Sequence, residues 1–199
     1  MKLMAFLELS ERSDYNPREF CFSYKDFNGG PTNVREQKDT QEFLNIAFDR
    51  VENALRDTPQ KYLLQNVFGG KTCSVTICKG CGNVNMSSEQ FFNLSLEVQN
   101  QNSIHDGLKR LVTGETINDY QCNACKQRVD IEKKTVVEVL PNTLILHLQR
   151  IIFDMDTFMN KKLNTRVEFP QVLNMRGYMK DEVLKADKER IEKAKRAQR

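Results

Sequence analysis

Long hydrophobic runs are missing from this chain: none of its 199 residues belongs to a stretch approaching the roughly 18 uncharged apolar residues of a membrane-spanning helix. The start, Met1-Lys2-Leu3-Met4, leads quickly to Glu8, Glu11 and Arg12, which is not the pattern of a secretory signal. Both absences point to an intracellular protein, cytoplasmic or nuclear, with no membrane partner. Charge of one sign is also missing from most of the chain. The formal net charge is +3, yet residues 176–199 hold nine Lys/Arg against five Asp/Glu, and residues 1–175 hold 21 against 22. A near-neutral body has no concentrated basic face for phosphates, so a nucleic-acid binder stays a minor alternative. Histidine is scarce as well, limited to His105 and His147.

What is present is consistent with a soluble globular body: 39% hydrophobic and 29% charged residues in a length sufficient for one sizeable core. Four of the six cysteines form two couplets, Cys78-Lys79-Gly80-Cys81 and Cys122-Asn123-Ala124-Cys125, forty residues apart. A two-residue spacer lets both sulfurs of a couplet turn toward one ion, and two couplets supply four thiolates to one tetrahedral Zn2+. Gly80 and Gly82 give the first couplet the backbone freedom of a turn. Simple packing of the thiols or two disulfides are the alternatives; a reducing interior and the paired spacing favour zinc, leaving Cys21 and Cys73 as free thiols.

The hydrophobic pattern reads as mixed α+β, helices mainly first and strands mainly later. Residues 2–12 form a short amphipathic helix with Leu3, Phe6, Leu7 and Leu9 on one side, and residues 14–33 read as loop. A helix starts after Asp39, with Glu42 completing a variant capping box and Phe43, Ala47, Val51 and Ala54 or Leu55 at helical spacing, until Asp57-Thr58-Pro59. Strand character begins at Leu63 and runs through Ile77 into the first couplet. Residues 92–98 alternate apolar and polar; Ser103 opens a short helix over 105–111, closed near Gly114. Residues 135–140 and 143–148 are two β-rich runs joined at Pro141-Asn142. The basic tail, 179–199, reads as a solvated helix or a disordered extension, with a partner-binding helix as the alternative.

Four segments, in order, resemble the ubiquitin-specific protease family of deubiquitinating cysteine peptidases. Glu36-Gln37-Lys38-Asp39-Thr40-Gln41-Glu42-Phe43 is similar to that family's Gln-Gln-Asp-Ala-Gln-Glu-Phe signature. The two couplets follow, with Phe92-Asn93-Leu94-Ser95-Leu96 between them and Tyr120 before Cys122. Last comes Leu140-Pro141-Asn142-Thr143 through Leu148-Gln149-Arg150, then Lys162-Leu163-Asn164-Thr165 and Val167-Glu168-Phe169-Pro170. The resemblance covers about residues 3–178, and residues 12–36 look similar to the large-protein branch of the family. Departures are visible: Glu36 and Lys38 stand where glutamines are expected, and Ile151 follows Arg150 where an aromatic is usual.

The resemblance implies a partial papain-like fold likened to a hand: thumb helices over 1–62, zinc-ribbon fingers over 63–134 and an antiparallel palm sheet over 135–178, with 179–199 as tail. It implies ubiquitin or a ubiquitinated protein as partner, with Gln37, Asp39 and Glu42 facing ubiquitin's basic C-terminal tail; helix capping is an equal reading of Asp39 and Glu42. It also implies structural Zn2+ at Cys78, Cys81, Cys122 and Cys125. A cysteine peptidase needs a thiolate, an imidazole, an orienting group and oxyanion donors. The family's Gly-Asn-Thr-Cys-Tyr-type and Gly-His-Tyr-type boxes do not occur in these residues. Cys21 lies in an aromatic loop cluster, His147 at a palm-strand position, and His105 at an exposed helix start, so no catalytic residue is assigned. The expectation is therefore a ubiquitin-specific protease domain fragment that is inactive alone. The alternative is a non-catalytic, ubiquitin-binding scaffold within a larger assembly, engaged through the basic tail and suggested by the Met1 start.

Overall fold

A computed structural model of the chain describes residues 2–25, 29–31, 33 and 39–197, with backbone alone for Lys2 and from Arg190 on. It divides into two compact units, Met1–Arg50 and Val51–Arg199. None of the helices it describes is long and apolar enough to cross a membrane.

The first unit is helical. Helix α1 spans Lys2–Leu9 and ends earlier than the expected residue 12. Leu3 and Phe6 are its half-buried side chains, Phe6 against the Tyr15 ring at 4.6 Å, whereas Leu7 and Leu9 are exposed. The stretch expected to be loop contains a second helix, α2, Arg18–Ser23. Its cause is local: Asn16 Oδ1 accepts from the Arg18 N–H at 3.1 Å, and Pro17, whose φ is already helical, leads in. Helix α3, Thr40–Leu55, begins where expected. Ile46 is its buried residue, while Phe43 and Val51 remain partly in water. Phe43 meets Tyr24 at 4.9 Å and Phe20 at 6.4 Å, and Arg50 stacks over Tyr24 at 5.0 Å. These rings give a segment with little aliphatic core its main apolar contacts.

The second unit begins within the last turns of α3 and continues with a helix, α4, Leu63–Phe68, where strand was expected. Leu64 is buried and the Gly69 N–H closes the turn on the Gln65 carbonyl, so the segment before Gly69-Gly70 coils and only the segment after it extends. Strands β1 (Gly70–Cys78), β2 (Val84–Phe91), β4 (Glu115–Gln121) and β5 (Arg128–Val139) form one antiparallel sheet in the order β2-β1-β5-β4. Strand β3, Leu94–Glu97, pairs in parallel with β6, Leu146–Gln149. A small antiparallel pair, β7 (Ile151–Asp154) with β8 (Met159–Lys162), follows.

The alternation over 92–98 buries Leu94, Leu96 and Val98 as expected. They form the main core with Ile104 and Leu108 of α5 (Ile104–Thr113), Val137, Val167 and Met175. Helix α5 starts at a capping box, Ser103 with Asp106, and ends at Gly114, whose φ of 73° suits glycine. The two β-rich runs around Pro141-Asn142 exist but enter different sheets. The connection between them is tied to α4, since Asn142 Nδ2 donates to the Asn66 carbonyl and the Thr143 N–H to that of Val67, both at 2.8 Å. The tail is a helix, α6, Lys180–Ala197, following a 3-10 turn at Arg176–Tyr178. It is not simply solvated: Val183 and Leu184 pack against Cys73, Val75 and Val136.

Candidate metal centre

The four couplet sulfurs lie within 4.8 Å of one another at one end of the four-stranded sheet. Each couplet follows a strand and turns back into the next by the same device. In the first, the Gly82 N–H donates to the Cys78 carbonyl and the Cys78 N–H to the Asn83 carbonyl, both at 2.9 Å. In the second, the Lys126 N–H donates to the Cys122 carbonyl and the Cys122 N–H to the Gln127 carbonyl, again at 2.9 Å. Each turn needs a left-handed residue just after its second cysteine: Gly82 at φ 72° and Lys126 at φ 59°. The role expected of Gly80 is different. It has no positive φ; a Cβ there would lie 2.9 Å from Val129 Cγ1, so its lack of a side chain permits close packing.

The Lys79 N–H donates to the Asp130 carbonyl at 3.0 Å, fastening the first turn to β5. The Cys81 and Cys122 sulfurs are 3.9 Å apart, near the roughly 3.8 Å edge of a tetrahedron with metal–sulfur bonds of about 2.3 Å. The Cys81 N–H points at Cys78 Sγ at 3.4 Å. Backbone hydrogen bonds from Cys125 and then Ala124 draw the Cys122 thiol down to about 6. For Cys81 the backbone of Asn83 pulls down, but hydrogen bonding to Cys78, burial and the remaining two thiols outweigh it and push the group up to about 11. Such a cluster holds its charge poorly without a cation, and four soft sulfurs with amide donors around them can hold a metal ion.

The residues expected to meet a partner lie in the first unit. Gln37 falls outside the described residues. Asp39 is half-buried and its Oδ1 accepts from the Gln41 N–H at 2.6 Å, which is the capping role; Glu42 is half-buried in the first turn of α3. Cys21 is half-buried within α2, its N–H bonded to the Pro17 carbonyl at 2.9 Å. His147 sits in β6 with Nδ1 3.3 Å from Ser95 Oγ on paired β3, a bond between neighbouring strands. His105 is exposed, as expected, and also has a partner: its Nδ1 lies 3.0 Å from the Tyr178 hydroxyl.

A family model described as ubiquitin carboxyl-terminal hydrolase matches residues 2–192. The chain belongs to that family. The chain is 32% identical over 181 residues to ubiquitin carboxyl-terminal hydrolase puf of Drosophila melanogaster, covering 89% of this chain and 5% of that protein. To human ubiquitin carboxyl-terminal hydrolase 9Y it is 31% identical over 179 residues, 88% of this chain and 7% of that one. The chain thus spans a small fraction of the length of these hydrolases. Among solved structures it resembles the SAGA DUB module bound to monoubiquitin, with a TM-score of 0.62 and 26% identity over 72% of this chain and 34% of that one. A yeast SAGA DUB module structure at 23% identity and a TM-score of 0.60 shares the fold over 70% of this chain and 35% of that one. Over the part of those structures that it covers, the chain has the mixed α+β, papain-like fold.

Proposed function

We propose that this chain is the ubiquitin-holding middle of a ubiquitin-specific protease domain, with residues 1–62 as thumb, 63–134 as fingers and 135–178 as palm. Zn2+ held by Cys78, Cys81, Cys122 and Cys125 has a structural role: all four positions are filled by protein sulfur, leaving no open site for a reacting water. Its binding energy becomes folding energy for the end of a sheet that has little core beneath it. Asp39 and Glu42, with Gln37, meet the basic C-terminal tail of ubiquitin through charge-assisted hydrogen bonds, Asp39 capping α3 at the same time. The chain alone does not hydrolyse ubiquitin conjugates, because its residues contain neither the family's nucleophile box nor its histidine box.

The observation that carries this reading is the likeness to a module bound to monoubiquitin, in a chain that brings all four couplet sulfurs together. The test is calorimetric titration of the zinc-loaded full chain with monoubiquitin. Saturable binding is expected, weakened about tenfold or more by Asp39→Arg combined with Glu42→Arg, since reversed charge meets a basic tail. Absence of saturable binding overturns the reading. Release of a fluorophore from a ubiquitin C-terminal reporter, abolished by Cys21→Ala, overturns the claim of inactivity.

A further inference from the structure

Helix α6 is strongly charged, and among its side chains through Glu189 only Val183 and Leu184 are large and apolar. Both pack on a strip made of Cys73 and Val75 of β1 and Val136 of β5, each fully buried, where Val112 of α5 and Ile77 of β1 also pack, so that α6 covers the part of the strip that α5 leaves open. The register of β1 on β5 places Cys73 opposite Val136, Val75 opposite Lys134 and Ile77 opposite Glu132, so these six side chains share one face of the sheet. Lys134 is 3% exposed, a rare burial for lysine. Its Nζ is held by Glu132 at 2.7 Å from within β5 and by Asp187 at 2.8 Å from α6. At the foot of the helix, Lys180 Nζ bonds Glu138 at 2.6 Å and Met179 bridges to Val137.

Two aliphatic side chains on a flat apolar strip specify no single landing position, because a slide along the helix would still bury them. A buried ammonium does specify one. With α6 docked one turn out of place, Lys134 would stay buried with a single carboxylate and Asp187 would be desolvated without a cation, which is costly. Docking is thereby made a single event: the aliphatic pair and the ion cluster close together, or the helix lifts and Lys134 reaches water.

We propose that α6 is a charge-keyed clasp on the four-stranded sheet, in which Asp187 meeting Lys134 fixes where the helix lands and its release uncovers the strip of Cys73, Val75 and Val136 in one step. The clasp goes beyond the ubiquitin reading and stands independently of it, since it uses neither residues 37–42 nor the thiol couplets.

Cys73 is the reporter, because it is reached only when the strip is uncovered. The full chain is loaded with zinc, exposed to a maleimide under native conditions, and the modification rate at Cys73 is read by peptide mass spectrometry. Asp187→Ala is expected to raise that rate about tenfold or more, and Val183→Ser with Leu184→Ser to raise it similarly, while exposed Lys188→Ala leaves it unchanged. Zinc content and helix signal from residues 40–55, the latter followed by hydrogen exchange, stay at wild-type values in all of them. A wild-type Cys73 rate in Asp187→Ala overturns the clasp. So does an equal rise in Lys188→Ala, or a rise accompanied by zinc loss, because either would mean general loosening rather than release of one helix.

Discussion

The two cysteine turns have the same backbone and different sequences. Both leave a strand at the couplet's first cysteine, both return the amide of the residue after the second cysteine to the carbonyl of the first, and both place that residue at positive φ. The first turn uses Gly82, for which that backbone is free of steric cost; the second uses Lys126, for which it is not. Their thiols differ too, with Cys81 raised and Cys122 lowered. The lesson is that a metal-binding turn is a hydrogen-bond pattern first, and glycine is one way of making it inexpensive. A bound cation would offer another, because it would reward the turn's closure through both sulfurs and offset the strain at Lys126.

The largest effect comes from removing a ligand. Cys122→Ser is expected to release zinc and to raise hydrogen exchange across residues 70–130 while sparing the helix around Phe43; full zinc occupancy in this variant would refute a four-thiolate site. Next is Gly82→Ala. The position opens on space, so the cost is purely the backbone's, about 1–2 kcal/mol, read as a lower chelator concentration at half-release of zinc. Lys126→Gly is the mirror experiment and moves the same midpoint upward by an amount within about 1 kcal/mol, since relief of the left-handed conformation is partly offset by a more flexible unfolded chain. Equal shifts of the same sign in both variants would break the comparison.

The smallest effect is the titration of the metal-free protein. Because the folded state lowers Cys122, its thiolate stabilises the fold above the thiol's ordinary value near 9 and loses that contribution as pH falls through about 6. Cys81 has the opposite sign: raised to about 11, it favours the fold below 9 and loses that contribution as pH rises through 11. Ultraviolet thiolate absorbance should therefore show an early ionisation near neutral pH that Cys122→Ser removes and Cys81→Ser leaves in place.

Local, single-cause features were legible in the residues. The couplet spacing anticipated the sulfur cluster, Ser103 and Gly114 marked the two ends of α5, and the alternation through Leu94, Leu96 and Val98 identified the core face of β3. The misses share a physical form. Leu63–Phe68 is too short a segment for periodicity to separate helix from strand, and its helical outcome is accompanied by the Gly69 closure and by distant bonds from Asn142 and Thr143. Lys126 carries no sign of positive φ in its identity. The tail looked solvated because Val183 and Leu184 are few; it is also joined to the sheet by Asp187 meeting Lys134, fifty-three residues earlier, and a buried charge pair of that separation leaves no periodic trace. Of the residues expected to face a partner, Asp39 was legible as a cap because its bond to Gln41 is local.

The most direct test of the paired-turn metal centre is metal analysis joined to X-ray absorption on the full chain purified under reducing conditions. One zinc per chain with four sulfur neighbours at about 2.3 Å is the expected result. A zinc shell containing nitrogen or oxygen, or couplets joined as disulfides with no bound metal, would contradict it.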